Sequence, residues 1–528
     1  MTVAVGLEPT PTVRDQLVAR AADDSPGLLF DDESWTWAEV VHQSCVRSAV
    51  LDTLLDSSRP RHVGVLLENV PEFAFLLGGA ALGGQVVVGL NPTRRGAALA
   101  GDVHRADVQV VVTDAAHADL LADVDVPVIP LESPDWAALL EEHADAGVPA
   151  VEVGPDDLMM LIFTSGTSGD PKAVNVTQAK VAVPGQFLSA RFGLGPDDVA
   201  YLSMPMFHSN AIMAGWGPAL AAGATVALAR KFSASGFLPD VRRFGATYAN
   251  YVGKPLTYVM ATPEQPDDAD NPLRLVFGNE ANDRDIAGFA ARFGCAVVDS
   301  YSSTENAVIV QRVPEMPPGS LGRPLEGVKV LDPETAAEVP DAIFDAAGRL
   351  VNAVEATGEL VNTVGAGAFA GYYKDPAAEA ERMRGGMYWS GDLAYRDADG
   401  FVYFAGRTAD WLRVDGENLA AAPIERILLR HPAISEAAVY AVPDESVGDQ
   451  VMAAVVVHGD LDPAGLEAFL AAQPDLSPKA WPRFVRVTDT LPRTATNKVL
   501  KRELAADGPA GGDGALWTRA ARGTTYSA

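Results

Sequence analysis

Short, mostly apolar runs alternate with longer helix-like stretches between residues 63 and 298 of this chain. Strands that are buried on both faces appear in a sequence as nearly continuous apolar runs. The runs that fit this description are residues 63–67, 108–112, 159–163, 201–204, 225–228, 273–277 and 296–298. Between them, residues 72–82 and 285–293 have helical spacing. The alternation predicts an α/β fold with layered, largely parallel sheets.

The longest apolar stretch, residues 73–90, could be mistaken for a membrane span. Five glycines interrupt it, and Gln85 precedes a β-branched run at residues 86–88. This pattern favours a buried helix that leads into a buried strand. Residues 1–17 lack the basic and apolar regions of a secretion signal. We therefore expect a cytoplasmic protein without a membrane span.

Composition narrows the range of ligands. The chain has 528 residues, of which 48% are hydrophobic and 21% charged, which is typical of folded globular proteins. Its 70 acidic and 40 basic residues give a net charge of −30, so nucleic acid is not expected as a partner. A polyanionic ligand would need a local nest of backbone N–H groups and a few cations. The two cysteines, Cys45 and Cys295, fit a reducing compartment.

The character of the sequence changes after Gly406. A charged segment is followed by a predicted helix at residues 423–431 and by strand-like runs at 437–442, 451–458 and 484–487. We place a domain boundary there, which gives an N-terminal domain of residues 1–408 and a C-terminal domain of residues 409–528. The last stretch, residues 507–528, is rich in glycine and alanine, and we expect it to be loosely held.

A loop rich in hydroxyl groups and glycine directly follows the strand predicted at residues 159–163. Hydroxyls, backbone N–H groups near glycine and a lysine can together surround phosphate oxygens. The spacing differs from the common Gly-x-x-x-x-Gly-Lys-Ser/Thr loop. The candidate phosphate-binding residues are Thr164, Ser165, Gly166, Thr167, Ser168, Gly169 and Lys172.

This loop resembles the phosphate loop of the adenylate-forming superfamily, which contains acyl-CoA synthetases, adenylation domains and luciferases. Residues 231–235 (Lys-Phe-Ser-Ala-Ser) and 415–419 (Asp-Gly-Glu-Asn-Leu) are similar to the branch of very-long-chain and sterol-side-chain acyl-CoA synthetases. The resemblance implies a large multi-layer N-terminal domain, with β-sheets flanked by helices, and a small mobile α+β C-terminal domain.

A second signature covers residues 299–305 (Asp-Ser-Tyr-Ser-Ser-Thr-Glu). The resemblance assigns Tyr301 to adenine stacking, Thr304 to the α-phosphate and Glu305 to Mg²⁺, chemistries that an aromatic ring, a hydroxyl and a carboxylate can provide. Asp299 is included in the candidate nucleotide site. Upstream, residues Gly278, Asn279 and Glu280 match the segment that lines the adenine pocket.

Four further residues match motifs of the superfamily. Asp392 is the candidate ribose anchor, because a carboxylate can accept hydrogen bonds from both ribose hydroxyls. The resemblance implies that Arg407 is a second ribose or phosphate contact. In the family, a lysine at the position of Lys498 bridges the attacking carboxylate and the α-phosphate. His208 matches a histidine at the floor of the acyl site, where it could gate a channel or only pack.

The resemblance implies a two-step ligase. ATP and Mg²⁺ serve to activate an acid as an adenylate, and CoA is the usual acceptor. The C-terminal domain rotates between the steps, which withdraws the lysine and presents the strand around Gly416. The hinge position is Ala409, a small residue that can absorb a change in dihedral angle. Relatives are often homodimers.

Several substitutions distinguish this chain from its relatives and leave alternatives open. Ser302, Asn306 and Asn497 replace residues that are commonly glycine, and Ala281 and Ala307 stand where glycine is frequent. Added volume and polarity near the substrate would suit a small acid. One alternative is therefore an ATP-dependent diazotase that adenylates nitrite and couples it to an aromatic amine without CoA. Others are a carrier-protein acceptor and a non-catalytic nucleotide-binding homologue.

Overall fold

The computed structural model describes the chain except residues 1–9, 165–170, 282, 314, 347, 408–410, 415–416, 445–447, 474–475, 477–479, 494–498 and 521–522. The chain forms two compact units, each of which uses two separate stretches of sequence. The first unit comprises residues 1–306 and 368–379, and the second comprises residues 307–367 and 380–528.

The first unit contains two mainly parallel sheets. In spatial order, one consists of Ala296–Asp299, Leu275–Asn279, Tyr248–Val252, Val199–Leu202, Thr225–Leu228, Pro26–Phe30 and Glu33–Thr36. The other consists of Val128–Pro130, Val110–Thr113, His62–Leu66, Val86–Gly89, Leu158–Thr164 and Lys172–Thr177. Only the last strand of each sheet is antiparallel to its neighbour. Every strand predicted in this region forms within two residues of its expected ends, and the predicted parallel α/β layering is confirmed.

Helices surround these sheets. Those that belong to or begin in the first unit are Val13–Val18, Trp37–Leu54, Pro71–Gly83, Gly96–Arg105, Pro134–Glu142, Gln178–Phe192, Gly217–Ala222, Phe237–Phe244, Pro255–Met260, Asp283–Phe293 and Pro376–Arg382, with shorter helical turns at Ala118–Leu121 and Ala211–Trp216. One apolar core contains residues from both sheets, such as Val65 and Leu202, together with Phe73 and Leu76 of a helix. The layers therefore share a continuous interior.

The apolar stretch at residues 73–90 folds as the sequence predicts. The helix Pro71–Gly83 begins with proline, which tolerates the first turn, and ends at Gly84 in the left-handed region (φ 69°). The buried strand Val86–Gly89 follows directly. Among the helices that the structure describes, none is long and apolar enough to cross a bilayer.

A buried asparagine fixes the loop that carries His208. The Asn69 amide donates to the backbone oxygens of Met204 (2.9 Å) and Ala229 (3.1 Å), and its oxygen accepts the N–H of Met206 (2.8 Å). Because Asn69 lies 3% exposed, these bonds satisfy backbone groups that water does not reach. The loop after the strand Val199–Leu202 is thereby held at the ends of the strands.

The second unit is built on mainly antiparallel sheets, in which Gly448–Val457 and Phe484–Thr488 pair in parallel. One sheet contains Val328–Leu331, Gly358–Asn362, Met387–Arg396, Met383–Arg384 and Val402–Arg407. A small ribbon of Val310–Gln311 and Arg323–Pro324 and a short helix Ala353–Ala356 belong to the same unit. The later sheet contains Glu417–Ala420, Trp411–Val414, Gly448–Val457, Ile434–Asp444, Phe484–Thr488, Ala515–Arg519 and Tyr526–Ser527, with helices Ala421–Leu428, Pro463–Ala471 and Lys501–Asp507. The helix and strands predicted after residue 409 are all present, which gives this part of the unit an α+β character.

The expectation that residues 507–528 are loosely held is wrong. The strand Ala515–Arg519 pairs with Phe484–Thr488, and Tyr526–Ser527 pairs with it in turn. Trp517 and Tyr526 are 6% and 5% exposed and join the core of the later sheet. Two buried aromatic side chains anchor a segment whose glycine and alanine content had indicated a tail.

Candidate active site

The predicted phosphate loop connects two paired strands. Thr164 ends the strand Leu158–Thr164 and lies opposite Lys172, the first residue of the antiparallel strand Lys172–Thr177. The Lys172 side chain is largely buried, and its ammonium lies 5.4 Å from the centre of the Tyr372 ring. The ends of the loop are therefore fixed by the sheet. The loop residues Ser165, Gly166, Thr167, Ser168 and Gly169 lie outside the described part of the chain.

The predicted adenine segment lies at the carboxyl end of the strand Leu275–Asn279. Gly278 is paired in register with Asp299 of the neighbouring parallel strand, and its carbonyl accepts the N–H of Ser300 at 2.8 Å. A Cβ atom on Gly278 would collide with the carbonyl oxygen of Tyr251, so only glycine fits. The Asn279 amide donates to the Ser300 carbonyl at 2.6 Å. The structure thus joins the two signature segments that the sequence separates.

Asp299 supports this segment from inside the protein. It is 5% exposed, and its Oδ2 accepts hydrogen bonds from the Tyr251 hydroxyl (2.7 Å) and the Ala281 N–H (3.0 Å). These two hydrogen bonds offset the free-energy cost of removing the carboxylate from water. Asp299 therefore fixes the turn that follows Asn279.

Two residues at the site adopt the left-handed conformation that favours glycine. Glu280 has φ 71° and Asn306 has φ 54°. Asparagine tolerates this region better than most residues, which explains how Asn306 can occupy a position where the resemblance led us to expect glycine. Glu280 is a less favourable residue for this region, and strain of this kind concentrates at functional sites.

The remaining residues of the second signature have defined partners in the first unit. The hydroxyls of Thr304 and Ser209 share a hydrogen bond of 3.0 Å, and Glu305 Oε1 accepts one from the Tyr372 hydroxyl at 2.8 Å. Tyr301 is half-buried. His208 is also half-buried, with its ring 4.4 Å from that of Phe207. The His208 loop and the second signature therefore lie side by side.

A buried lysine lies close to these residues, and the sequence analysis missed it. Lys180, in the first turn of the helix Gln178–Phe192, is 3% exposed, and its ammonium donates to the Asn175 carbonyl at 3.3 Å. Burial lowers the pKa of Lys180 from 10.5 to about 8, and attraction to Glu305 opposes that shift. A cation inside the protein therefore acts on the Glu305 carboxylate.

In the second unit, the structure brings Asp392 and Arg407 together. They face each other on the antiparallel strands Met387–Arg396 and Val402–Arg407, with Arg407 Nε 3.4 Å from Asp392 Oδ1. The Asp392 N–H is held by the Ser390 hydroxyl at 3.0 Å. Asp392 is 9% exposed and the Arg407 side chain is 47% exposed, so the pair places a buried carboxylate beside a guanidinium that solvent reaches.

Besides the phosphate-loop residues, three more residues with predicted functions lie outside the described part of the chain. They are the candidate catalytic Lys498, the hinge Ala409 and Gly416. The neighbouring Lys501 is described, and its ammonium lies 2.8 Å from Glu425 Oε1. Lys501 therefore pairs with a carboxylate of the same unit.

Tyr372 is the other residue that sequence reasoning missed. It lies 67 positions from Glu305, so no local spacing connects the two. The signal that could have indicated Lys180 was a lysine at the start of an otherwise largely apolar helix, which follows the strand after the phosphate loop. Buried charges are rare in proteins and usually have a partner.

Comparison with protein families gives two matches. The model described as AMP-binding enzyme matches residues 15–373, and the model of the AMP-binding enzyme C-terminal domain matches residues 423–498. Together they include the loop, both signature segments and Lys498.

Similar proteins match almost the whole chain. A medium/long-chain-fatty-acid–CoA ligase of Mycobacterium marinum is 54% identical over 505 residues, which cover 95% of this chain and 97% of the relative. Steroid-22-oyl-CoA synthetase of Rhodococcus jostii is 51% identical over 503 residues, which cover 93% and 90%. Among solved structures, ATP-bound MatB from Rhodopseudomonas palustris superposes with a TM-score of 0.80 at 25% identity and covers 94% of this chain and 99% of that one.

Proposed function

Because this chain belongs to the AMP-binding enzyme family, we propose that it is an ATP-dependent ligase that activates a carboxylic acid as an acyl-adenylate and transfers the acyl group to CoA. The observation that carries the proposal is the likeness over nine-tenths of the chain to two CoA ligases at 54% and 51% identity. The pairing of Thr304 with the Ser209 hydroxyl and of Glu305 with the buried Tyr372 supports a site that is built for chemistry.

We propose a fatty acid or another bulky hydrophobic carboxylic acid as the substrate. One relative is a ligase for medium- and long-chain fatty acids, and the other forms a steroid-22-oyl-CoA. Neither relative is named for an activity on nitrite. The diazotase alternative is therefore supported only by the substitutions near the second signature. The conformation of Asn306 weakens that support, because asparagine takes the backbone shape that glycine would have there.

In the first half-reaction, a carboxylate oxygen of the acid attacks the α-phosphorus of ATP, and the bond to the β-phosphate breaks to release pyrophosphate. We propose that the loop of Thr164 to Lys172 holds the phosphates and that Thr304 donates to the α-phosphate. Gly278, Asn279, Glu280 and Tyr301 are proposed to contact adenine. Asp299 supports that contact by holding the segment.

Glu305 fits a magnesium site. Among the described residues, no three His, Cys, Asp or Glu side chains form a closed metal site. Mg²⁺ in nucleotide enzymes needs only one or two carboxylates, with phosphate oxygens and water as its other ligands. The Glu305 carboxylate, oriented by Tyr372, meets this requirement. When bound, Mg²⁺ would neutralise phosphate charge.

For the second unit, the proposal rests on family resemblance. Asp392 and Arg407 are proposed to contact the ribose, and Lys498 to stabilise charge at the reacting phosphate. In the second half-reaction, the thiol of CoA attacks the acyl carbon, the C–O bond to AMP breaks and the thioester forms. The boundary near residue 409, the hinge at Ala409 and the role of His208 in the acyl site remain predictions.

We also propose that the enzyme acts in the cytoplasm, where ATP and CoA are available. Both cysteines are buried thiols, which is consistent with a reducing compartment. A homodimer is expected from the resemblance, and light scattering on the purified protein would test it.

The proposal is tested by measuring pyrophosphate release with ATP and Mg²⁺ across fatty, steroid-like and aromatic acids, and across nitrite with an aromatic amine, each with and without CoA. We expect CoA-dependent turnover on a hydrophobic acid. Turnover that requires nitrite and amine, and that does not respond to CoA, would contradict it.

A matched pair of variants separates catalysis from binding. Lys498→Ala should abolish adenylation and leave ATP affinity nearly unchanged. Lys501→Ala, which removes the nearby ammonium that pairs with Glu425, should retain adenylation. Equal adenylation rates in both variants would remove Lys498 from the mechanism, whereas no adenylation in the wild type with any acid would favour the non-catalytic nucleotide-binding alternative.

A further inference from the structure

The segment 368–379 lies in the first unit, although the residues before and after it belong to the second. It runs along the strand Lys172–Thr177, where Tyr373 N donates to the Ala173 carbonyl (2.8 Å) and Asn175 N donates to the Gly371 carbonyl (3.1 Å). The segment therefore extends the edge of the sheet that carries the phosphate loop.

Tyr372 is held firmly within this segment. Its side chain is 2% exposed, its ring packs edge-to-face against Phe369 with centres 4.9 Å apart, and its N–H donates to Glu379 Oε1 at 2.8 Å. Gly371 precedes it at φ 88°, where a Cβ would collide with the Glu379 carboxylate. The position of the ring is thus fixed by backbone and side-chain contacts on several sides.

One side chain therefore connects two residues of the site. The Tyr372 hydroxyl donates to Glu305 Oε1 at 2.8 Å, and the face of its ring lies 5.4 Å from the Lys172 ammonium. The hydrogen bond restricts the rotation of a carboxylate at the end of a flexible side chain, and the cation–π contact places the lysine.

We propose that Tyr372 is a positioning residue, which orients Glu305 for Mg²⁺ and links that carboxylate to Lys172 at the base of the phosphate loop. This inference rests on the proposed function, in which Glu305 holds the metal. Partners that orient metal ligands commonly change metal affinity by about 10–100-fold when they are removed.

The test is the Mg²⁺ dependence of ATP binding, measured by calorimetry on the full chain without acid or CoA. The variant Tyr372→Phe removes only the hydroxyl and should need about tenfold more Mg²⁺ for half of the metal-dependent gain in ATP affinity. Its affinity for AMP without metal should equal that of the wild type. If Tyr372 only supported the fold, its replacement would not change the Mg²⁺ requirement while leaving the affinity for AMP unchanged.

Tyr373→Phe is the matched control. The neighbouring hydroxyl donates to Asp107 Oδ2 at 2.7 Å, away from Glu305, so its loss should leave the Mg²⁺ titration unchanged. Melting temperatures of both variants show whether the fold is retained. If Tyr372→Phe is too unstable to titrate, Glu379→Gln, which weakens only the anchor of the Tyr372 N–H, should produce a smaller shift in the same direction.

Glu305→Ala distinguishes the two possible failures. If Glu305→Ala shifts the Mg²⁺ titration and Tyr372→Phe does not, Tyr372 does not position the carboxylate and the inference is overturned. If Glu305→Ala leaves the titration unchanged, the proposed metal role of Glu305 itself is wrong. In the double variant Tyr372→Phe/Glu305→Ala, the shift in the Mg²⁺ titration should equal that of Glu305→Ala alone. Additive shifts would show that Tyr372 acts independently of Glu305 and would overturn the inference.

Discussion

The hydroxyls of Ser209 and Thr304 lie 3.0 Å apart and share a hydrogen bond between two loops that are 95 residues apart in sequence. One loop follows the strand Val199–Leu202, and the other follows the strand Ala296–Asp299 of the same sheet. Ser209 therefore restricts the rotation of the hydroxyl that we assign to the α-phosphate.

We expect Ser209→Ala to lower kcat/KM for ATP about fivefold, because a neutral hydrogen bond contributes about 1 kcal/mol. Pyrophosphate release at varied ATP measures the change. Ser189→Ala is the control, since that hydroxyl donates only to the Gln186 carbonyl in a helix. The combined variant Ser209→Ala/Thr304→Ala should be no slower than Thr304→Ala. A further loss would show that Ser209 acts separately.

Asp392 and Asp397 provide a comparison between binding and stability. Both are 9% exposed, and Asp397 directly follows the strand Met387–Arg396 that contains Asp392. Asp397, however, accepts bonds from Phe401 N (2.8 Å) and the Tyr403 hydroxyl (2.9 Å). Asp392→Ala should weaken AMP binding by about 10- to 100-fold, because bonds to a charged group contribute about 1.5–3 kcal/mol. Asp397→Ala should instead lower the free energy of unfolding. Calorimetry and urea unfolding measure the two quantities, and a reversed pattern would contradict the ribose assignment.

Lys180 predicts a specific pH dependence of stability. Its pKa is about 8 in the folded protein, below the ordinary 10.5, so the unfolded chain binds more protons between these values. The free energy of unfolding therefore rises as the pH increases from 8 to 10.5. Below pH 8, the buried charge of Lys180 lowers the free energy of unfolding by about 3 kcal/mol. Without ATP or Mg²⁺, Lys180→Met should be more stable than the wild type at pH 7, and the difference should shrink towards pH 10.5.

Urea unfolding at several pH values measures this difference. Lys329→Met serves as the control, because that lysine is 47% exposed and pairs with Glu338 at the surface. Its stability difference from the wild type should be small and nearly independent of pH. If the difference in free energy of unfolding between Lys180→Met and the wild type does not change with pH, burial does not disfavour the charged form of Lys180.

Two glycines should respond to alanine in opposite directions. Gly278→Ala would push a methyl group into the Tyr251 carbonyl oxygen, so we expect a loss of about 3 kcal/mol or more and a displaced adenine segment. Gly101 lies inside the helix Gly96–Arg105 with nothing within 4 Å of its added Cβ. Gly101→Ala should stabilise the protein by about 0.5–1 kcal/mol. Thermal unfolding measures both, and a neutral Gly278→Ala would contradict the close packing.

Much of the fold could be predicted because its signals are local. The strand Thr225–Leu228 forms at the predicted residues, and the predicted helix 72–82 is observed as Pro71–Gly83. A strand buried on both faces or a helix with a proline start carries its pattern in consecutive residues. The C-terminal segment failed this reasoning, because two separated aromatic residues, Trp517 and Tyr526, determine its burial.

The sequence by itself determined the family, the parallel α/β layering of the first unit and the identities of the candidate residues, because the motifs that carry them are contiguous. Tertiary structure alone decided how those residues are held. Tyr372 contacts Glu305 across 67 positions, Ser209 contacts Thr304 across 95, and Lys180 acts on Glu305 from inside the protein. These relationships depend on which strands lie side by side, and the pairing of distant strands leaves no periodic signal along the chain.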